Sequence, residues 1–465
     1  MRRFDFSVLF VSFFVSTSAV ASFACGSRTD IFGVLGDGLE SGDAAGGDNH
    51  RNRDASALDD GASDDGAFFA DGARKPVGDS APPPPNPCGG YQAYAPWPAF
   101  QRCSAHVGRT DAVGPSHPVV KWKSQVGVPM PLEVGVVGPP TIAADGTIYV
   151  ANLFGQLVAF NSDGSQQWAA QCTYLEAGPS AVAIGGDGAL YVELDQLYAL
   201  TSSGGMLWTA AVHPGVGAST VGPATSSVTV SQDGTLYVGT STGLVSLNSQ
   251  GTVTYVNELE EQGWTPAINT SDVVYSANES GALTASTPGN AAVWTFQLPM
   301  TSSRDGWVQT SPVIAEDGTI YVGALSAFYA LDPDGNVKWT TQWTATPPPQ
   351  TTDTMAIGSD GTVYLVSPDS TLSAISSKGE TLWSLPIVLA GSPPVVDGNG
   401  MIYLLGGPND SGDDGILIAV TPKGEVAWQI PLTNSRGGGL AVGNDGTIYA
   451  STYPTATLFA IGEGP

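Results

Sequence analysis

The chain is short of cations, cysteines and histidines. Sixteen Lys and Arg stand against 43 Asp and Glu, a formal net charge of −27. The basic clusters that nucleic acid or anionic lipid would reward are therefore missing, and neither is expected as a partner of the folded surface. Such acidity serves solubility and self-repulsion. No two of the four cysteines (25, 88, 103 and 172) are neighbours, and no Cys-x-x-Cys-His occurs, which excludes covalently attached haem. His106, His117 and His213 are far apart, with no Cys or His at metal-ligand spacing, and read as ordinary loop histidines. Helical periodicity is absent after residue 119, and the one long apolar run, Phe6 to Val20, is too short to span a bilayer.

Glycine and proline are plentiful, 59 and 34, as a turn-rich β protein requires. Residues 313 to 339, VIAEDGTIYVGALSAFYALDPDGNVKW, hold three short apolar runs split by Asp-Gly turns and end in tryptophan. Asp-Gly between alternating apolar residues is a strong hairpin cue, so the unit reads as four antiparallel strands, a to d. Strand a is placed at Pro312 to Ala315, b at Thr319 to Gly323, c at Ala327 to Asp332 and d at Asn336 to Thr340. The strand-b tyrosine recurs at 149, 191, 237, 275, 321, 364, 403 and 449, a spacing of about 43 residues, which is propeller spacing. Strand d is marked by Trp168, Trp208, Tyr255, Trp294, Trp339, Trp383 and Trp428. That is one fewer than the tyrosines, and Val119 to Gln125 around Trp122 supplies the missing strand. The fold class is all-β, an eight-bladed β-propeller of four-stranded antiparallel blades whose last blade is completed by the N-terminal strand, which removes the open edges of a linear array.

Upstream lie three further segments. Residues 1–24 have the basic, apolar and small-residue order of a secretory signal peptide. Two cuts compete: Ala19-Val20-Ala21 is an ordinary small-x-small site, and Ser22-Phe23-Ala24-Cys25-Gly26 resembles a bacterial lipobox, with Ser22 where leucine is usual. The second is preferred, with Cys25 as lipid attachment, because residues 25–87 are Gly-, Asp- and Pro-rich and make a flexible tether. Residues 88–118 are aromatic and Pro-rich, a lead-in with no core of its own. An exported chain permits a Cys88–Cys103 disulfide there, worth about 3 kcal/mol in the chain-entropy model. Chain entering strand d arrives on the c–d turn face, and Cys172 falls at the opposite face, which leaves Cys88 and Cys103 as partners. The propeller is residues 119–465.

The stretches LVAFNSDGSQQW, YALDPDGNVKW and IAVTPKGEVAW resemble the repeats of pyrroloquinoline-quinone-like eight-bladed propellers over residues 119 to 461. That family includes quinoprotein alcohol dehydrogenases and also non-enzymatic lipoproteins, so the resemblance implies the fold strongly and an activity weakly. In the dehydrogenases, the resemblance implies, the quinone stacks on a tryptophan under an adjacent-cysteine disulfide, with calcium held by Glu, Asn and Asp. This chain has no such cysteines. Lys338, Lys378 and Lys423 fall at c–d turns, leaving Arg304 and Arg436 to face a tricarboxylate cofactor. No quinone, calcium or other cofactor is expected, although the acidic insertion Asn409 to Asp414 has the oxygens a calcium ion would need. A quinone-dependent dehydrogenase acting on an alcohol or sugar is the enzymatic rival.

The a–b and c–d connections are tight turns, whereas the d–a connections are long and varied, so recognition is expected on the long-loop face. Trp264, Arg304, Trp307, Trp343 and Arg436 are its candidates, as lids over the channel or as anchors for a ligand. The reading is of an exported, lipid-anchored, monomeric binding or scaffold module at the outer membrane or cell surface. Its partner would be an envelope protein or an extracellular ligand.

Overall fold

A computed structural model describes residues 88–465 apart from 128–135, 174–179, 213–225, 241–242, 259–262, 279, 290, 300–309, 325–326, 343–354, 368–369, 388–391, 407–414 and 434. The described residues form eight four-stranded antiparallel sheets arranged as a ring, with no helix. The fifth blade illustrates the unit: Val313–Ile314, Ile320–Gly323, Ala327–Leu331 and Val337–Gln342 pair in sequence order. These strands lie within two residues of the positions read from the sequence.

Each turn is set by side-chain chemistry. In six blades the aspartate of Asp-Gly accepts the amide two residues on, as Asp145 does from Thr147 at 2.9 Å and Asp317 from Thr319 at 2.9 Å, while glycine takes the left-handed φ. Blades 4 and 7 have Ser271-Asp272 and Asn399-Gly400 at this place, and there the acceptor moves upstream. Asn269 Oδ1 takes the amides of Ser271 and Val273, and Asp397 Oδ1 those of Asn399 and Met401.

Burial falls outward. Strands a to c are almost wholly buried, and strand d alternates exposed and half-buried positions, as the outermost strand of a radial sheet must. Seven strand-b tyrosines sit 5.7–6.0 Å from the strand-d tryptophan of their own blade. The same indole reaches the next blade. The Trp168 Nε1–H donates to Ser202 O at 3.0 Å, and an added Cβ on Gly204 would lie 2.8 Å from the indole. Only glycine lets that turn pass so close under the ring.

The ring closes through Pro118–Gln125, which pairs antiparallel with Thr457–Glu463 from Pro118 opposite Glu463 to Gln125 opposite Thr457. A core cluster running from Ile142 and Phe160 of blade 1 to Leu458 and Ile461 of blade 8 joins the two ends of the chain.

Candidate functional site

The lead-in segment caps the tight-turn end of the inner strands. The last residue of strand a in six blades donates its amide to a carbonyl of this segment: Ile142 to Trp97, Ile184 to Pro98, Ile268 to Ser104, Ile314 to Ala105, Ile357 to Val107 and Val396 to Gly108, all at 2.8–2.9 Å. In blade 3 Val230 donates to the Tyr91 hydroxyl at 3.1 Å. An innermost strand has one unpaired edge, and its buried amides need acceptors. The cap provides them around most of the ring.

The sequence reading gave this segment no core, but the propeller lends it one. Trp97 is 1% exposed within the closing cluster, and Cys88 and Cys103 lie 2% and 7% exposed against blades 2 and 3. Cys88 and Cys103 are bonded to each other, with Cα atoms 4.9 Å apart. Cys172 takes no part and stands at the end of blade 1's strand d, its amide bonded to Gly155. Four non-glycine residues of the cap, Tyr94, Gln101, Arg102 and His106, have φ between 50° and 74°. Each costs about 1–2 kcal/mol, so the surrounding bonds must hold them.

His106 is 1% exposed, with Nδ1 3.1 Å from Pro312 O and its ring edge-on to Phe100. Burial lowers its pKa to about 4, opposed by the bond to Pro312. This is a packed structural histidine rather than a ligand. Arg102 is spent on the Pro96 and Arg109 carbonyls at 3.2 and 2.7 Å, and burial lowers its pKa.

Arg109 reaches outward between blades 5 and 6, donating to Gly358 O at 2.9 Å and pairing with Glu316. It floors a cleft of about 250 Å³ that also touches Val107, Asp317, Tyr321, Ile357, Asp360 and Ser377. Burial, then the Asp317 charge, pushes Tyr321 up to about 12, so its phenol stays protonated. The tight-turn face therefore has relief of its own, because the cap leaves a gap where it crosses from blade 5 to blade 6. The sequence hint was faint: Arg102 and Arg109 are the only cations of residues 88–118.

Of the candidates for the long-loop face, Trp264 is 7% exposed and packed with Ala277, Leu283 and Leu298 of blade 4, so its ring is part of the core. Arg436 is paired through its backbone with Tyr453 in blade 8. Arg304, Trp307 and Trp343, the acidic insertion at 409–414, His213 and Cys25 lie outside the described residues.

Among the described residues no set fits a calcium-bound quinone. The Cys88–Cys103 disulfide joins residues 15 apart and lies buried in the cap, and among the described residues no three His, Cys, Asp or Glu converge as metal ligands. Arg102 and Arg109 are committed to backbone carbonyls and to Glu316.

The family model described as outer membrane protein assembly factor BamB matches residues 119–255 and 195–409. No curated protein sequence matches the chain. Among solved structures, the quinohemoprotein alcohol dehydrogenase of Comamonas testosteroni is similar with a TM-score of 0.63 at 12% identity, over 80% of this chain and 81% of that one. BamB of Moraxella catarrhalis is similar with a TM-score of 0.54 at 18% identity, over 73% of this chain and 98% of that one. At these identities the likeness to both structures is one of fold.

Proposed function

The chain belongs to the family of the outer membrane protein assembly factor BamB, and from that premise we propose an exported, lipid-anchored propeller that binds or scaffolds an envelope partner through its long-loop face. The observation that carries this reading is the cap. Seven blades give an inner-strand hydrogen bond to residues 91–108, so the tight-turn end of the axis is occupied by the chain itself. Recognition by the ring's interior is left to the opposite end, where the long d–a connections lie. The chemistry is that of a surface rather than a reaction centre.

Anchoring rests on Cys25 and on the tether of residues 26–87, whose composition gives reach without a core. Cell fractionation tests it. The wild-type chain should be recovered in the membrane fraction and Cys25→Ser in the soluble envelope fraction, whereas a mature chain beginning at unmodified Ser22 would overturn the anchor. For the scaffold role, cells lacking the protein should hold less folded outer-membrane protein. Unchanged levels of every outer-membrane protein would contradict an assembly function.

A further inference from the structure

Among the described residues, seven of the eight seams between blades carry an indole hydrogen bond at the rim, and the eighth has no tryptophan at that position. Trp122, Trp168, Trp208, Trp294, Trp339, Trp383 and Trp428 each donate Nε1–H to a carbonyl across their seam at 2.8–3.0 Å. Between blades 3 and 4 the position belongs to Tyr255, paired with Ser246 as Trp168 is with Ala159. A phenol has no donor where the indole nitrogen would be. The facing turn of blade 4, Thr287 to Ala291, also departs from the others in sequence, with Asn290 where Gly164, Gly251 and Gly424 stand. At each of those three glycines an added Cβ would meet indole atoms at 2.6 Å, the close approach that a docked tryptophan makes. Among the described residues the buried cluster at this seam is the smallest, formed by Tyr237, Leu244, Ile268 and Val274.

At the axis the same seam is well tied. Ser227 N donates to Thr265 Oγ1 at 2.9 Å and Thr229 Oγ1 to Pro266 O at 2.6 Å. A seam bonded at the axis and without the indole bond at the rim is a hinge in outline.

The cap changes over at this same place. Residues 91–98 bond blades 1 to 3, and residues 104–110 bond blades 4 to 7. The Cys88–Cys103 disulfide ties the two arms together, and Ser104, next in sequence, holds the blade 4 amide.

We propose that the ring opens at the seam between blades 3 and 4, and that the Cys88–Cys103 disulfide is the staple that holds it shut. A dithiol reductant releases the staple. One thiolate attacks a cysteine sulfur, the Cys88–Cys103 bond breaks as a mixed disulfide forms, and the second thiol then closes the reductant's own disulfide. Two electrons and two protons pass to Cys88 and Cys103. Both sulfurs are buried, so reduction follows a local opening and is slow in the closed ring.

The test is hydrogen exchange on the full chain before and after reduction with a phosphine in sub-denaturing urea, with thiol titration confirming that both cysteines are freed. The phosphine takes its oxygen from water and leaves two thiols. Amides of Val253–Glu258 and Ala267–Ile268 should exchange at least tenfold faster, while Thr381–Pro386, at a docked seam, keeps its rate. The Cys88→Ser/Cys103→Ser double variant, oxidised or not, should match the reduced protein. Exchange that accelerates equally in all blades, that begins at Pro118–Gln125, or that stays unchanged once both thiols are counted would overturn the proposal.

Discussion

The indole nitrogen of Trp428 donates to the carbonyl of Pro115 at 3.0 Å, 313 residues away in sequence. In six other blades the acceptor is a c–d turn carbonyl of the next blade. The eighth blade has no c–d turn, because its strands c and d are the two ends of the propeller chain, and Pro115 takes the turn's place. If the substitution is complete, the closing seam is worth as much as any other. Trp428→Phe should then lower stability by about 1 kcal/mol, the usual net value of one hydrogen bond, and Trp168→Phe should do the same. Denaturant midpoints compare them. A neutral Trp428→Phe beside a costly Trp168→Phe would show that Pro115 is no surrogate.

The cap's fit against the turns is tested by two glycines with the same backbone conformation. Gly90 has φ +82° and an added Cβ would meet Ser231 O at 2.1 Å, while Gly146 has φ +85° with nothing within 4 Å. Gly146→Ala should cost about 1–2 kcal/mol from the left-handed backbone alone. Gly90→Ala should cost a further ~1–3 kcal/mol from overpacking against a backbone that cannot yield. Equal costs in thermal unfolding would mean that the cap does not rest on blade 3.

Acid should loosen the protein in two separate windows. Folded His106 resists protonation until about pH 4, whereas the unfolded histidine titrates at 6.5. The unfolded state thus binds more protons between those values, and stability rises with pH across that range. The contribution is full above pH 6.5 and is lost as pH falls toward 4, by about 3 kcal/mol. His106→Gln should reduce this slope in urea unfolding measured at pH 7 and 4.5; an unchanged slope would contradict the burial. Glu463 acts lower. Hydrogen bonds, first from the His117 amide, hold its pKa at about 2 against 4.5. That contribution is present above pH 4.5 and lost as pH falls through 2, and Glu463→Gln should remove it.

Trp264 separates core from recognition. Since its ring is buried with Leu283 and Leu298, Trp264→Ala should lower stability by about 3–5 kcal/mol, the range for emptying a large aromatic site. Partner capture by the remaining folded fraction should be unchanged. Lost capture at an unchanged melting temperature would return Trp264 to the binding face.

Strand order, blade count and the closing strand were legible in the sequence because one residue type recurs at one place per blade. Tyr149 to Tyr449 and Trp168 to Trp428 mark core positions that every blade must fill. The cap was not legible for the opposite reason. Its contacts are made by backbone carbonyls of Trp97, Pro98, Ser104, Ala105, Val107 and Gly108, and a carbonyl leaves no mark in side-chain pattern. Nor does Arg109 belong to any repeat, so its cleft had no periodicity to announce it. Trp264 looked like a loop anchor because it follows the polar run from Glu258 to Gly263. Its burial depends on blade 4 packing that no local window contains.

The central claim, recognition at the long-loop face with the axial end of the opposite face occupied by the cap, is tested most directly by site-specific photo-crosslinking of the full-length chain in cells. A photoreactive residue is placed at Trp307 or Trp343 in the long d–a connections, and at Asp163 or Asp334 in exposed c–d turns. The account predicts partner adducts from Trp307 and Trp343 and none from Asp163 or Asp334. Adducts from the c–d turns with none from the d–a connections would contradict it.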